Sequence, residues 1–173
     1  MLEGKQTYLR PLTLEDVTDE YVAWMNDYEI VKYTESRFNK HTRETTKSYI
    51  EATINSTTHA FAIISKDNDK HIGNIKLGGI DRHHKYGDVG LIIGVREYFG
   101  RGIATESIKL ITEFAFRDLG LHRVWCGIYS LNIGSIKAFQ KAGWDVYATE
   151  PKKYFFEGEY IDGVLMHKIN EAS

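Results

Sequence analysis

Two closely spaced glycines near the middle of the chain have the pattern of an anion-binding turn. The apolar run 91–95 ends in a short polar segment, Gly100-Arg101-Gly102 follows, and an amphipathic helical pattern begins at once. The first amides of a helix have no acceptor within that helix, and the helix dipole favours an anion beside them. Glycine lets the backbone approach such an anion closely. The turn therefore predicts a phosphate or pyrophosphate site.

Other interpretations of this turn differ in how well they fit. A phosphate-loop NTPase requires Gly-Lys-Ser/Thr after the loop, and that motif does not follow here. The dinucleotide-binding pattern needs a third glycine where this chain has Thr105, and an acidic residue after the next strand, where Tyr129 to Asn132 stand. A turn that uses glycine only for its backbone conformation is the remaining alternative.

Composition excludes several classes of protein. The 173 residues suit one domain, 1–173, with 42% apolar residues and a formal net charge of -2. No basic excess indicates nucleic-acid binding, and no apolar run is long enough for a membrane span. The N-terminus lacks a signal-peptide core, and Cys126 is a single cysteine. We therefore expect a reduced, cytoplasmic protein without a membrane or nucleic-acid partner.

Hydrophobic periodicity predicts strands and helices in the order β-α-α-β-β-β-α-β-α-β-β. The expected strands are 6–10, 59–66, 71–80, 87–95, 122–130, 144–156 and 160–169. The expected helices start at Thr13, at 43, at 103 and near Asn132. The first three end near 26, 55 and 119, and the fourth runs through Phe139 and is stopped by Gly143. This order predicts a mixed α/β domain with an antiparallel meander followed by a β-α-β crossover.

The first helix and the segment after it carry two further expectations. Thr13 and Asp16 have the spacing of a capping box, which would open a helix that buries Tyr21 and Trp24 together with Leu14 and Val17. The aromatic and charged segment that follows, 28–41, has no clean period. It is either a surface loop with a short helix or one wall of a binding site.

Three spaced motifs resemble a known family. The segments VREYFGRGIATESI, LGLHRVWCGIYSLNIGSIKAFQKAGW and EGEYIDGVLM are similar to the GNAT superfamily of acetyl-CoA-dependent N-acetyltransferases, and most of all to its RimJ/RimL branch. The resemblance covers nearly the whole chain. It implies a mixed central sheet of about seven strands, flanked by about four helices, in which strands 87–95 and 123–129 splay apart. It also implies acetyl-CoA as cosubstrate, bound in the resulting wedge.

The resemblance implies a set of cofactor-binding residues. The pantetheine arm would pair with the first splayed strand, and the pyrophosphate would lie on the turn amides. The implied residues are Ile93, Val95, Phe99, Gly100, Arg101, Gly102, Ile103, Ala104, Thr105, Asn132 and Lys137. Lys137 has a solvated helix face as its alternative role. Glu97 departs from the family pattern, which has Gln or Arg there, so we assign it no role.

Acetyl transfer needs a neutral amine, a donor for the oxyanion and a proton for the departing thiolate. The resemblance implies a backbone amide near Val95 as the oxyanion donor. Many relatives place a proton-donating tyrosine where this chain has Phe139, and the RimJ/RimL branch suggests Ser135 instead. Asp88 is the candidate base, with a surface charge at a strand end as the alternative. A base acting through water, or an amine already neutral, are further options.

The acceptor would lie against the segment after the first helix and the final hairpin. The candidate substrate-binding residues are Asp27, Glu29, Tyr33, Glu35, Arg37 and Tyr160. A small amine or a nucleotide-linked amino sugar ranks ahead of a peptide or ribosomal-protein N-terminus, which would need an open groove. A polyamine would need an acidic wall.

Three expectations concern other classes. A domain that binds acetyl-CoA without catalysis is the competing hypothesis. Homodimer formation is common in the family that the chain resembles. No metal is expected, because His83 and His84 lack a third ligand at useful spacing.

Overall fold

The computed structural model describes residues 1–172 and contains a single eight-stranded sheet in that part of the chain. Its strands are β1 (Leu2–Glu3), β2 (Thr7–Pro11), β3 (His59–Ser65), β4 (His71–Asp81), β5 (Tyr86–Ile93), β6 (Arg123–Tyr129), β7 (Asp145–Phe156) and β8 (Glu159–Ile169). Their order across the sheet is β1-β2-β3-β4-β5-β6-β8-β7, and only β5 and β6 pair in parallel. The mixed α/β class is confirmed, with the short β1 as a strand that the periodicity does not reveal.

The helices follow the predicted order. They are α1 (Asp19–Asn26), the one-turn α2 (Tyr28–Val31), α3 (Arg43–Ile54), α4 (Ile103–Glu113) and α5 (Ile133–Lys141). The end of α4 widens into a π-helical turn, Phe114–Asp118, before Gly120 ends it with a φ of 63°. Within residues 1–172, no helix combines the length and apolar character that a membrane crossing requires.

The first helix begins later than the capping box predicts. Thr13 and Asp16 do form the box, but it caps only a single 3-10 turn, Leu14–Asp16. Val17 then leaves helical geometry, and α1 starts at Asp19 with Thr18 as its N-cap. The Asp16 carboxylate binds the Arg10 guanidinium at 2.6 Å, which ties this turn to β2. The prediction of one continuous helix from Thr13 was therefore wrong, and Leu14, expected to be buried, is 43% exposed.

The two middle strands diverge. The strands β5 and β6 pair only from Tyr86↔Arg123 to Asp88↔Trp125. Beyond that point β5 remains paired with β4, whereas β6 remains paired with β8. A wedge therefore opens between Val89 and the part of β6 that follows Trp125. The splayed strands expected from the family resemblance are present.

The Glu106 carboxylate ties the N-terminal segment to α4, a contact that sequence analysis does not reveal. It accepts hydrogen bonds from the amides of Lys5, Gln6 and Thr7, and from the Thr7 hydroxyl at 2.7 Å. Burial alone would raise the pKa of Glu106, but these donors stabilise the anion and hold the pKa below its usual value. The turn before α4 is thereby fixed to β2.

Candidate active site

The wedge between β5 and β6 opens into a cavity of about 790 Å³. Residues 88–92 of β5 line one side and residues 125–129 of β6 line another. The start of α5 contributes Asn132 and Ser135, and the segment after α2 contributes Tyr33 and Glu35. The cavity therefore joins both residues predicted for catalysis to Asn132 and to Tyr33 and Glu35 of the predicted acceptor set. The other residues predicted for cofactor binding, including the glycine turn, do not line it.

The glycine turn has the backbone geometry of an anion site. Gly100 and Gly102 have φ values of 72° and 84°, a region that residues with a side chain rarely adopt. Gly102 is the N-cap of α4, and the first helical amide with an acceptor there is that of Glu106, at 3.0 Å from the Gly102 carbonyl oxygen. The amides of residues 103–105 therefore have no acceptor within the helix. A Cβ built at Gly100 meets no neighbouring atom, so that glycine is required for conformation.

The side chains of this turn point in several directions. The Arg101 guanidinium pairs with Asp67 at 3.3 Å and lies over the ring of Tyr98. Phe99 is half exposed, and the Thr105 hydroxyl contacts the Ala138 carbonyl at 3.4 Å. Ile103 is buried, whereas Ala104 is half-buried. The backbone amides of residues 103–105, which have no acceptor within the helix, are thus the donors that the turn offers to an anion.

A β-bulge shapes the end of β5. The amides of Gly94 and Val95 both donate to the Ile72 carbonyl oxygen, at 2.8 and 3.3 Å. The Val95 amide is therefore already engaged. Neighbouring amides of a strand point to opposite sides, so the Ile93 amide points to the gap that β6 has left. Ile93 is the better placed of the two to donate to a group in the wedge.

The start of α5 lies beside the wedge. The Asn132 side chain caps the helix by accepting the Ser135 amide at 3.2 Å. Ser135 is half-buried and lines the cavity, while Lys137 is exposed outside it. Phe139 is buried and packs edge-on against Trp144, with ring centroids 4.7 Å apart. Ser135 is therefore the polar side chain that the first turn of α5 offers to the cavity.

Asp88 lies where the two strands separate. Its backbone is the last part of β5 that pairs with β6, opposite Trp125, and its side chain lines the cavity. A Cβ built on Gly79 would come within 2.4 Å of an Asp88 carboxylate oxygen. The bend after Gly78 thus leaves room for this carboxylate. Asp88 and Ser135 share one cavity, as the proposed chemistry requires.

Tyr33, Glu35 and Arg37 converge on the end of β6. Tyr33 and Glu35 line the cavity, and Tyr33 stacks on Phe156 at 5.2 Å. The Glu35 carboxylate accepts the Tyr129 hydroxyl at 2.8 Å. The Arg37 guanidinium lies over the Tyr129 ring and donates to the Phe155 carbonyl oxygen at 2.8 Å. Arg37 therefore braces this wall from behind.

The other three candidates for acceptor binding lie outside the cavity. Asp27 caps α2 and binds the Arg96 guanidinium at 2.6 Å, and this partner holds the pKa of Asp27 below its usual value. Glu29 pairs with Lys32 at 2.8 Å. Tyr160 is 65% exposed and packs against Phe155. The structure therefore brings together Tyr33, Glu35 and the brace of Arg37, and leaves these three apart.

Two tyrosines that line the cavity were not among the site residues predicted from the sequence. Tyr129 and Tyr154 stack face to face with centroids 3.9 Å apart. Burial and the hydrogen bond to Glu35 raise the pKa of Tyr129 to about 12. Tyr129 is the last residue of the splayed strand β6, a position that could have indicated its role. Tyr154 arrives from β7 through a distortion of that strand, for which the sequence offers no signal.

Other groups considered for chemistry have structural surroundings. Cys126 is buried, and burial raises the pKa of its thiol to about 12, which keeps it protonated. The amides of His83 and His84 both donate to Asp81 within a turn. Across residues 1–172, no group of three or more His, Cys, Asp or Glu side chains is arranged to hold a metal ion.

Comparison with known proteins places this geometry in context. Residues 6–145 match the family model described as acetyltransferase (GNAT) domain. A probable N-acetyltransferase of Bacillus subtilis, YjcK, is 25% identical over 177 aligned residues, which cover 98% of this chain and 97% of the relative. The match to the family model thus includes both splayed strands, the glycine turn and the start of α5.

Two solved structures share the fold. A spermidine N-acetyltransferase of Vibrio cholerae, in complex with CoA and spermine, superposes with a TM-score of 0.84 at 20% identity and covers 95% of each chain. A ribosomal-protein-S5-alanine acetyltransferase of Vibrio fischeri superposes with a TM-score of 0.85 at 22% identity, covering 98% of this chain and 96% of the other. With its wedge, glycine turn and matching family model, this chain belongs to the GNAT family of acetyltransferases.

Proposed function

We propose that this N-acetyltransferase moves the acetyl group of acetyl-CoA to the primary amine of a small acceptor, by direct attack in a ternary complex. An amino sugar, free or nucleotide-linked, is the acceptor class that the cavity suits best. The observation that carries this proposal is one cavity lined both by Ser135 and Asn132 and by Tyr33 and Glu35. A single space of this kind lets two substrates meet without a covalent enzyme intermediate.

The cofactor would bind along the wedge and the turn before α4. The amides from Gly100 to Thr105 would hold the pyrophosphate, because those at the start of α4 lack acceptors within the helix and form the positive end of its dipole. The Phe99 amide already donates to the Arg96 carbonyl oxygen at 2.9 Å. The pantetheine arm would pair with the backbone at the end of β5, and Asn132 would bond to it from α5. The spacing of Asn132 and Ser135 supports placement in the RimJ/RimL-like branch.

The reacting groups would then meet between the two strands. The amine attacks the thioester carbonyl, the Ile93 amide stabilises the oxyanion, and the carbon–sulfur bond breaks. Ser135 would stabilise the departing thiolate by donating a hydrogen bond to it from its hydroxyl group. Asp88 would accept the proton that the amine loses, since this residue lines the same cavity.

The charges around the cavity favour a hydroxylated acceptor over a polyamine. Of the acids that an acidic wall would use, Asp27, Glu29 and Glu51 lie outside the cavity and each faces a basic partner. The cavity itself carries Glu35 and Asp88, balanced by Lys40 and Lys76. Tyrosines line much of the remaining wall: Tyr21, Tyr33, Tyr49, Tyr129 and Tyr154. Such a wall suits a sugar, which offers hydroxyl groups to bond and ring faces to pack.

The shape of the acceptor side favours a small molecule over a peptide. Arg37 donates to the Phe155 carbonyl oxygen at 2.8 Å, and the Tyr28 hydroxyl donates to Glu157 at 3.0 Å. These two bonds join the segment after α1 to the β7–β8 hairpin. A peptide N-terminus would need an open groove at this place, and two bonds across it favour a smaller acceptor.

The cofactor part of the proposal is tested by thermal unfolding with and without ligands. At about one hundred times its dissociation constant, acetyl-CoA should stabilise the protein by roughly 2.7 kcal/mol. NAD at the same concentration should leave the melting temperature unchanged, and CoA should raise it. If none of the three raised it, the glycine turn would be a structural turn only.

The acceptor part is tested by thiol release from acetyl-CoA with three panels of amines. Amino sugars and their nucleotide-linked forms should give the highest kcat/KM. Polyamines and short peptides with free N-termini provide the matched comparison at equal concentration. A clear preference for spermidine or for a peptide would reassign the acceptor class while leaving acetyl transfer in place.

A further inference from the structure

The Tyr154 hydroxyl lies in the cavity without a hydrogen-bond partner among residues 1–172. The side chain comes from β7, lines the cavity and is half-buried. Its neighbour Tyr129, by contrast, donates its hydroxyl to Glu35. A buried or half-buried tyrosine hydroxyl usually finds a partner, so one left free in a binding cavity is available to a ligand.

A local distortion of β7 aims this side chain inward. Between Glu150↔Gly163 and Tyr154↔Ile161, three residues of β7 oppose a single residue, Asp162, of β8. Lys152, within this bulge, has a φ of 52°, and its amide donates to the Asp162 carboxylate at 2.8 Å. Bulges of this kind redirect side chains and are frequent beside functional sites. This one turns Tyr154 toward the centre of the sheet.

Two glycines, on the adjacent strands β8 and β6, leave room for the Tyr154 ring. A Cβ built on Gly163 of β8 would lie 3.1 Å from the Tyr154 ring, and one built on Gly127 of β6 would lie 3.4 Å from its hydroxyl oxygen. The ring therefore crosses β8 at one glycine, and its hydroxyl reaches β6 at the other. Gly127 lies two residues beyond the last β5–β6 pair, which places the hydroxyl at the wedge.

The face of the sheet on which Tyr154 lies indicates whether its hydroxyl is on the acceptor side or the cofactor side of the wedge. Side chains alternate along a strand, so Gly127 and Tyr129 face the same side of β6. Tyr129 contacts Glu35 and the ring of Tyr33 on that side. Tyr154 stacks on Tyr129 and therefore lies on the acceptor side of the wedge.

We infer that Tyr154 is an acceptor-binding residue whose hydroxyl oxygen accepts an N–H bond from the attacking amine. The inference rests on the proposed acetyl transfer and deepens it. An amine that gives one N–H to this oxygen keeps its lone pair free and directed at the thioester carbon. The role is distinct from that of a thiolate-protonating tyrosine, whose usual position holds the buried Phe139.

Surroundings of the ring suit a binding role rather than proton transfer. Burial raises the pKa of Tyr154, and Glu150 and Glu35 add to the rise, whereas the ammonium of Lys153, 5.5 Å from the ring centroid, opposes it without reversing it. The hydroxyl therefore stays neutral across the pH range in which an acetyltransferase is assayed. Removing it should lower the rate at every such pH by the same factor.

The test compares Tyr154→Phe with Tyr147→Phe. Both substitutions remove one hydroxyl from β7, but Tyr147 packs against His167 and Arg123, away from the cavity. With the best amine of the panel, Tyr154→Phe should lower kcat/KM on the order of tenfold, the effect of one lost hydrogen bond. Its acetyl-CoA-induced rise in melting temperature should be unchanged, and Tyr147→Phe should match the wild type in both measurements.

A second variant approaches the same contact from the strand. Gly127→Ala adds a methyl group at the hydroxyl while leaving Tyr154 in place, and should lower kcat/KM without abolishing acetyl-CoA binding. Full activity in Tyr154→Phe would overturn the inference while acetyl transfer stands. A changed shape of its pH–rate profile would contradict a binding role and indicate proton transfer. A wild-type protein that binds acetyl-CoA but acetylates no amine would overturn the proposed function, and this inference with it.

Discussion

At the scale of single residues, function depends on which polar groups the wedge leaves without partners. The Asn132 side-chain oxygen accepts a hydrogen bond from the Ser135 amide, whereas Ser135 lines the cavity. The Val95 amide is bonded to Ile72, so Ile93 is left to face the gap. In each case the hydrogen-bond partner, rather than the residue type, separates a structural group from one available for chemistry.

Ser135→Ala should lower kcat on the order of 100-fold, the effect of removing one donor that acts in the transition state. The rise in melting temperature caused by acetyl-CoA should stay as in the wild type, because Ser135 would act on the thiolate and not on the nucleotide. Steady-state thiol release measures the first quantity. Ser48→Ala, an exposed serine of α3, is the control. An unchanged kcat would remove Ser135 from the mechanism.

At the scale of elements, Glu106 fixes the N-terminal strand against the helix that follows the glycine turn. Its carboxylate receives three backbone amides and one hydroxyl from residues 5–7. Gln6 adds a bond from its side chain to the Arg101 carbonyl oxygen at 3.3 Å. One helix residue thus holds the edge of the sheet and steadies the turn beside it.

Glu106→Gln should destabilise the fold by about 1 kcal/mol at neutral pH, since the amide lacks the charge and one acceptor oxygen. The folded protein holds the pKa of Glu106 below its usual value, so the carboxylate contributes stability above that value. The contribution disappears as the pH falls through the lower folded pKa. Urea unfolding at pH 7 and in acid should show the difference from wild type shrinking.

Glu113→Gln, an exposed position on the same helix, is the matched control and should leave stability unchanged at both pH values. Hydrogen exchange at the amides of Lys5, Gln6 and Thr7 should accelerate in Glu106→Gln only. Equal exchange in both variants would show that the Glu106 carboxylate does not hold residues 5–7 in place.

At the scale of the whole molecule, helix α1 packs against the bulge at the end of β5. The indole of Trp24 lies where a Cβ of Gly94 would be, at 2.0 Å, and packs edge-on against His71. His71 in turn bonds to Asn74, which lines the cavity. The position of α1 and the shape of the wedge are thereby coupled.

Gly94→Ala should therefore destabilise the protein by about 2 kcal/mol through overpacking and reduce acetyl transfer at the same time. Gly134→Ala is the control, because a Cβ there meets open space and alanine favours the helix. Thermal unfolding and thiol release on the same samples measure both effects. Full stability in Gly94→Ala would mean that α1 can move without disturbing β5.

The sequence by itself determined the order of the elements, the glycine turn and the family. These features are local. Apolar periodicity defines β3 to β6, and glycine is the residue type that readily adopts the positive φ values observed at positions 100 and 102. The same local logic failed at Thr13, because its capping box is present but caps only a single 3-10 turn. Asp16 of that turn binds Arg10 of the preceding strand and lies 3.6 Å from His71 of the distant strand β4.

Only the tertiary structure decided which candidate groups share the cavity. Asp27 and Glu29 are neighbours of Tyr33 and Glu35 in the chain, yet neither lines the cavity. Asp27 instead binds Arg96, which lies 69 residues further along the chain. Tyr154 reaches β6 by crossing β8, so its place depends on a bulge and on two glycines from other strands. Such positions depend on contacts between residues far apart in the chain, and a periodic pattern carries no information about them.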